Sequence, residues 1–134
     1  MATNFHVKLT LRNTMLDTVN AAIGASGFLR IYDGGQPATV DTALGAQVKL
    51  AELALSATAF AAAAAGTIAA NAISDDLSAD ATGTATWATL VTAAGVRVLD
   101  LSVGTSGADI NLNSVAIQAG AKVSITAYSV SIPA

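Results

Sequence analysis

The stretch TATWATLVTAAGVRVLDLSV (84–103) decides the fold. It contains two runs with the composition of β-strands, at 84–91 and at 96–103, and Ala93-Ala94-Gly95 lies between them. A short connection that contains glycine is typical of a β-hairpin, because glycine adopts the backbone angles that tight turns need. The sequence therefore predicts an antiparallel pair of strands in the second half of the chain.

Strand-like runs continue on both sides of this hairpin. They are FLRIYD (28–33), QVKLAELALS (47–56), DINLNSVAIQ (109–118) and KVSITAYSVSI (122–132). The segment 67–73 is a further candidate strand, which we expect to pair with 47–56. Several strands about 8–12 residues apart, with glycine turns between them, indicate an antiparallel β-sandwich that is jelly-roll-like or Ig-like. The residues expected in its core are Leu53, Leu99, Leu101, Val103, Ile117 and Ile125.

Two of the strands change the face on which their apolar residues lie. In 109–118 the apolar positions shift phase after Leu112, and in 122–132 they shift after Ile125. A slip of one residue would otherwise turn the wrong side chains inward. We therefore expect a β-bulge in each of these strands.

The N-terminal part of the chain has helical spacing. Leu16 and Ile23 recur at the interval of a helix face, and Gly24 is a typical helix stop. We predict a helix over residues 10–23, with Thr10 as its N-cap.

The length of 134 residues indicates a single domain, 1–134, in which the helix precedes a β-sandwich over 28–132. The alternation of apolar and polar residues over 4–9 also predicts a short strand there. The Ala-rich segment 57–65 receives no element. Alanine favours a helix, but a run without amphipathic contrast seldom holds one.

The composition is poor in charge. Only 11% of the residues are charged, although 53% are hydrophobic, whereas an average globular domain has about 25% charged residues. A monomer usually relies on interspersed surface charges for solubility. A chain with so few of them is better suited to lying against other protein surfaces, so we expect a homo-oligomer or a larger assembly.

Charge distribution and residue types exclude several classes of function. The net charge is −3 and the six basic residues are scattered, so the basic patch of a nucleic-acid-binding protein is missing. The absence of cysteine excludes disulfides and cysteine-bound metal. The N-terminus does not have the pattern of a signal peptide, and the alanine run is too short to cross a bilayer, so we expect synthesis in the cytoplasm and no membrane partner.

The ionisable residues do not form a recognisable catalytic or metal site. His6 is the only histidine, so a catalytic triad would depend on a residue near the terminus. Asp75, Asp76 and Asp80 cluster, but their spacing is not that of an EF-hand loop, and aspartates also favour turns. We assign no catalytic, cofactor-binding or metal-binding residue and expect that the protein is not an enzyme.

The glycine-rich segments and the aromatic residues have structural interpretations. The segments 104–107 and 33–35 lack the lysine of a phosphate-binding loop and the helix that follows a dinucleotide site, so they are predicted to be turns. Trp87, Tyr32 and Tyr128 are expected to anchor the core, although aromatic residues also occur as interface hot spots.

Four long segments resemble a known family. They are LRNTMLDTVNAAIGASGFLRIYDGGQPA (11–38), LAELALSATAF (50–60), AISDDLSADATGTATWATL (72–90) and GTSGADINLNSVAIQAGAKVSITAYSVSIP (104–133). Together they look like small proteins encoded in the structural gene clusters of tailed bacteriophages. The resemblance implies a structural protein of the virion, and it carries no catalytic residues.

Three functions remain open at this point. The first is a capsid decoration (cement) protein that binds the major capsid protein and stabilises the head shell. The second is a tail, neck, baseplate or fibre component bound to other virion proteins. The third is a receptor- or glycan-binding module, which would need Trp87 or the 75–80 loop at an exposed site. For the assembled state we favour a homotrimer, because cyclic symmetry reuses one patch on every copy.

Overall fold

The computed structural model describes residues 6–131, which are mainly β with one helix. The elements in chain order are α1 Leu9–Ile23, β1 Phe28–Tyr32, β2 Lys49–Ala54, β3 Thr67–Ala69, β4 Gly83–Thr84, β5 Trp87–Val91, β6 Arg97–Gly104, β7 Ile110–Leu112, β8 Ala116–Ile117 and β9 Ile125–Ser131. The predicted class, mainly β with one helix near the N-terminus, is confirmed.

Seven strands join in one sheet, in the order β2-β1-β5-β6-β7-β9-β3, and this sheet curls into a half-barrel. β4 and β8 form a separate two-stranded sheet. A sandwich of two facing sheets is not confirmed, because most strands within residues 6–131 belong to the curled sheet.

One pair of strands departs from the predicted antiparallel arrangement. β6 and β7 run parallel, with Val103 opposite Ile110. The carboxylate of Asp109 accepts hydrogen bonds from the backbone N and the Oγ of Ser102, at 3.0 and 2.9 Å. These bonds join Ser102 of β6 to the residue that precedes β7.

The core is centred on β5, all of whose residues are buried. Leu16 and Ile23 of α1 belong to the same core cluster, so the helix packs one side against the sheet. Of the six residues predicted to be core, three are buried and three are partly buried and pack against the core: Leu53, Leu101 and Ile117 are the buried ones, and Leu99, Val103 and Ile125 are the partly buried ones. The core prediction is confirmed for the first three and holds in part for the others.

The predicted hairpin over 84–103 is confirmed as β5 and β6. Its turn is closed by the backbone N of Gly95, which donates to the carbonyl of Thr92 at 2.9 Å. Gly95 has a φ of +84°, in the left-handed region that favours glycine.

Both outer strands of the seven-stranded sheet are covered by irregular segments. On β2, the carbonyl of Ala54 accepts from the N of Ser74, and the N of Glu52 donates to the carboxylate of Asp76, both at 2.9 Å. On β3, the carbonyl of Ala69 accepts from Ala61 N at 3.0 Å.

The predicted partner of segment 67–73 is wrong. β3 pairs with β9, and the outer edge of β2 is occupied by residues 74–81 instead. The predicted strand 109–118 is divided, because β7 pairs with β9 whereas β8 pairs with β4. The bulge expected after Ile125 is confirmed: Leu112 lies opposite Ile125 and Asn111 opposite Ala127, which leaves the intervening residue of β9 out of the register.

The predicted helix is confirmed with a start one residue earlier, at Leu9. The predicted N-cap is wrong, because Thr10 lies inside the first turn and Lys8 occupies the cap position without a side-chain cap bond. Gly24 ends the helix with a φ of +71°, as predicted. The strand predicted over 4–9 is wrong for residues 6–9, which contain no strand, and residues 4 and 5 lie outside the described part of the chain.

Candidate functional site

The aspartate cluster is used within the fold. The carboxylate of Asp76 accepts two backbone hydrogen bonds, from Glu52 N and Ser78 N, both at 2.9 Å. Asp75 pairs with Lys122 at 2.9 Å, and hydrogen bonds from Lys122 and from a neighbouring serine lower the pKa of the Asp75 carboxyl. Over residues 6–131, no group of three acidic, histidine or cysteine side chains is placed to hold a metal ion.

Asp80 is directed to a different partner. Its carboxylate lies 3.2 Å from the Nζ of Lys49, which also lies 3.5 Å from the carboxylate of Glu52. The three aspartates therefore have three different sets of partners and share no common centre.

Trp87 is a core anchor. Its side chain is 1% exposed, and its Nε1 donates to the carbonyl of Asp33 at 3.1 Å. The ring of Tyr32 stacks on it at a centroid distance of 4.8 Å, and the guanidinium of Arg97 lies 5.5 Å from the Trp87 ring centroid. A buried indole with neighbours on its ring offers no platform for a sugar.

Tyr128 lines a cleft of about 150 Å³, together with Ala70, Asn71, Ile73, Ile125 and Thr126. Burial raises the pKa of the Tyr128 phenol, and its hydroxyl has no hydrogen-bond partner in the described part of the chain. The cleft has no second ionisable side chain in its lining, so it offers no acid–base pair. His6 is exposed and is not among the residues that line this cleft.

The helix contains polar residues that the sequence analysis missed. Asn13, Asp17 and Asn20 lie on one side of α1, and their side chains accept hydrogen bonds from three backbone N–H groups of residues 60–66, which include the second half of the Ala-rich segment and the glycine after it. The pairs are Gly66 N to Asn13 Oδ1 at 2.9 Å, Ala63 N to Asp17 Oδ1 at 2.8 Å, and Phe60 N to Asn20 Oδ1 at 3.2 Å. The spacing i, i+4, i+7 of these polar residues was the signal in the sequence that identifies them.

The apolar residues of α1 are divided between two sides. Leu16 and Ile23 face the core, whereas a second row at helical spacing is exposed. We call this row the outer helix surface; it consists of Leu11, Met15, Thr18 and Ala22. Leu11 is 52% exposed and Met15 is 42% exposed. The outer helix surface contains no charged residue.

The side chain of Thr18 makes this surface less polar than its chemical type suggests, and the neighbouring Thr14 has the same arrangement. The hydroxyl of Thr18 donates to the carbonyl of Thr14 at 2.9 Å, and that of Thr14 donates to the carbonyl of Thr10 at 3.0 Å. A hydroxyl bound to the preceding turn of its own helix is turned away from solvent partners. The methyl groups then contribute to the exposed side of the helix.

The polarity of α1 is therefore unusual for a surface helix. Asparagine and aspartate side chains bind the rest of the protein, and two of the large apolar side chains, Leu11 and Met15, face outward although Leu16 and Ile23 are buried. An exposed row of apolar residues on one element is a feature of protein contact surfaces. The outer helix surface is the candidate functional site of this chain.

Comparisons of the chain with protein-family models, with curated proteins and with solved structures found no match. Within the described residues, the structure contains no helix with both the length and the apolar composition that crossing a membrane requires.

Proposed function

We propose that this chain is a structural protein of a tailed-bacteriophage virion, in which it acts as a capsid decoration (cement) protein. The observation that carries the proposal is the outer helix surface, which presents Leu11 and Met15 to solvent while polar side chains of the same helix bind the protein itself. The sequence resemblance to proteins of phage structural gene clusters supplies the setting. We also propose that the strands form a β-sandwich, in which the seven-stranded sheet is one layer and the β4–β8 sheet belongs to the other.

The proposed partners are the major capsid protein, other virion proteins and further copies of this chain. A charged fraction of 11% favours such contacts, because few ionic groups have to be desolvated when two surfaces meet. A protein that binds only the assembled shell stabilises it by mass action. Many equivalent sites on one particle strengthen the attachment further through avidity. This role requires no catalytic group, cofactor, nucleic acid or membrane.

The same surface would also serve a tail, neck or baseplate component. The glycan-binding alternative is weaker, since Trp87 is buried and the carboxylates of the 75–80 loop already have partners.

The test is to purify virions of the phage that encodes this chain, to count its copies against the major capsid protein by quantitative mass spectrometry, and to locate it by electron microscopy. Hundreds of copies on the head would support decoration. A few copies at the tail would reject decoration in favour of the tail component, and absence from the particle would overturn both.

Two substitutions sharpen this experiment. Met15→Glu places a charge in the outer helix surface and should reduce incorporation into particles. Thr10→Glu adds the same charge at an exposed position of the same helix, outside that surface, and should leave incorporation unchanged. Equal incorporation of both variants would show that the outer helix surface is not the contact.

A further inference from the structure

The two ends of the outer helix surface differ in side-chain size. The N-terminal half carries the long side chains of Leu11 and Met15, which project into solvent. The C-terminal half carries the smaller Thr18 and Ala22, which are also exposed. One half of the surface therefore projects, and the other half is shallow.

The two ends also differ in charge: Lys8 at the N-terminal end opposes the dipole of the helix, whereas residues 20–24 at the C-terminal end contain no charged side chain. A helix has partial positive charge at its N-terminus and partial negative charge at its C-terminus. In α1 no acidic residue lies in the first turn and no basic residue lies in the last turn. The exposed Lys8 instead stands at the N-terminal end, where its charge is unfavourable to the helix.

A second copy of this surface, in the opposite orientation, complements both the difference in side-chain size and the difference in charge between the two ends. We propose that the outer helix surface binds the same surface of a second copy, with the two helices antiparallel about a two-fold axis between Met15 and Thr18. Leu11 of each copy then packs on the partner subunit's Ala22, and Met15 packs on the partner subunit's Thr18.

The same register places Lys8 beside the C-terminal end of the partner's helix, where the last carbonyl groups carry partial negative charge. A parallel arrangement would instead set Leu11 against Leu11 and bring two Lys8 side chains together. A surface that complements itself is what a two-fold contact requires, because each patch meets its own copy. A foreign partner would impose no such relation between the two ends.

This inference deepens the proposed function and rests on it, since the pairing links neighbouring copies that the particle brings together. A helix of 15 residues is about 22 Å long, so this contact is smaller than the roughly 800 Å² per partner of a standard stable interface. The pairing is therefore weak for two free molecules and strengthened where copies are held close together. The pairing makes dimers, and the homotrimer favoured in the sequence analysis is the competing proposal.

The chain contains no cysteine, so introduced thiols report this geometry without background. Leu11→Cys and Ala22→Cys are prepared as separate variants, mixed and oxidised mildly at high protein concentration. The mixture should give a disulfide-linked band at twice the 13.2 kDa of the chain. It should form at least about tenfold faster than in either variant alone, because pairing raises the effective concentration of the thiols.

Either variant alone should link poorly. In the antiparallel pair, position 11 of one copy lies opposite position 22 of the other, so the two copies of the same position are about 16 Å apart along the helix axis. A disulfide needs Cα atoms within about 7 Å of each other. A mixture of Ala22→Cys with Thr105→Cys, at an exposed position outside the helix, measures random collision. Met15→Glu in both partners should abolish the excess linkage, whereas Thr10→Glu should retain it. Circular dichroism and the fluorescence of Trp87 confirm that each variant is folded.

Linkage within a single variant as fast as in the mixture would overturn the antiparallel pairing, and so would a mixture no faster than the collision control. The result is separable from the proposed function. Failure of the pairing in a protein that is found on purified virions overturns the pairing alone. Pairing in a protein that is absent from virions overturns the proposed function alone.

Discussion

Replacement of Asn20 by alanine tests whether α1 holds the Ala-rich segment in place. The side-chain amide of Asn20 accepts from Phe60 N at 3.2 Å and donates to Phe60 O at 3.3 Å, and Phe60 is 1% exposed. A hydrogen bond contributes about 0.5–1.5 kcal/mol net, so two bonds contribute about 1–3 kcal/mol. We expect the free energy of unfolding to fall by about 2 kcal/mol.

The assay is equilibrium unfolding in urea, followed by the fluorescence of the single tryptophan, Trp87, which is buried in the folded state. With a denaturant dependence of about 2 kcal/mol/M, the midpoint should fall by about 1 M. The matched control is Asn113→Ala, at an exposed asparagine, which should stay within about 0.5 kcal/mol of the wild type. If Asn20→Ala unfolds at the same urea concentration as this control, the two hydrogen bonds do not secure the segment and the reasoning is refuted.

Four further predictions concern β6 and the aspartate cluster. Leu101→Ala removes a buried side chain and should lower the free energy of unfolding by about 2–5 kcal/mol. A loss below about 0.5 kcal/mol in urea titrations would mean that the side chain faces solvent. Asp76→Ala should lower the free energy of unfolding by about 1–3 kcal/mol through the loss of two backbone hydrogen bonds. Thermal melts of the wild type in chelator and in calcium should coincide. A calcium-induced rise that Asp76→Ala removes would instead reveal an ion site. Hydrogen bonds from Lys122 and Ser124 hold the pKa of Asp75 below 3.8, so the stabilisation from Asp75 is present above that pH and lost as the pH falls through the lower folded-state pKa. A titration by NMR should show this pKa rising in Lys122→Gln, and an unchanged value would contradict the pairing.

Local patterns were sufficient to predict the elements that depend on neighbouring residues. The β5–β6 hairpin follows from two apolar runs and the turn at Gly95, and the end of α1 follows from Gly24, because both features are determined within a few residues. The bulge in β9 was also predictable, since side chains alternate strictly along a strand and a phase shift requires an extra residue.

The order of the strands could not be predicted in this way. β3 pairs with β9, which is distant in the sequence, and nothing in the three residues of β3 identifies that partner. β7 runs parallel to β6 after a turn in which the carboxylate of Asp109 accepts hydrogen bonds from Ser102. The β3–β9 pairing forms only when segments that are distant in the sequence meet, and the Ser102–Asp109 bonds are made by polar side chains and backbone, so the alternation of apolar residues predicts neither.

The candidate site could not be predicted from the apolar residues of the helix, because these residues do not by themselves distinguish the buried side from the exposed side. Leu16 and Ile23 identified the buried side, but Leu11 and Met15 have the same chemical type and face outward. The orientation of the helix is accompanied by the bonds of Asn13 and its polar neighbours, whose partners are backbone N–H groups of residues 60–66. Backbone groups are present in every residue, so this segment has no side-chain signature that would reveal the contact.

The covered outer strands of the sheet have a consequence for how copies of this protein meet. An open strand edge accepts another strand, which presents a new edge in turn, so association by strand addition continues without a natural end. On β2 and β3 the outward backbone groups at Ala54 and Ala69 are already bound by the chain's own segments. Growth through these two strands is blocked at the first step. At these two edges, copies of the protein can then contact one another only through side chains, whose shape and chemistry change from place to place, unlike the repeating backbone of an open strand edge.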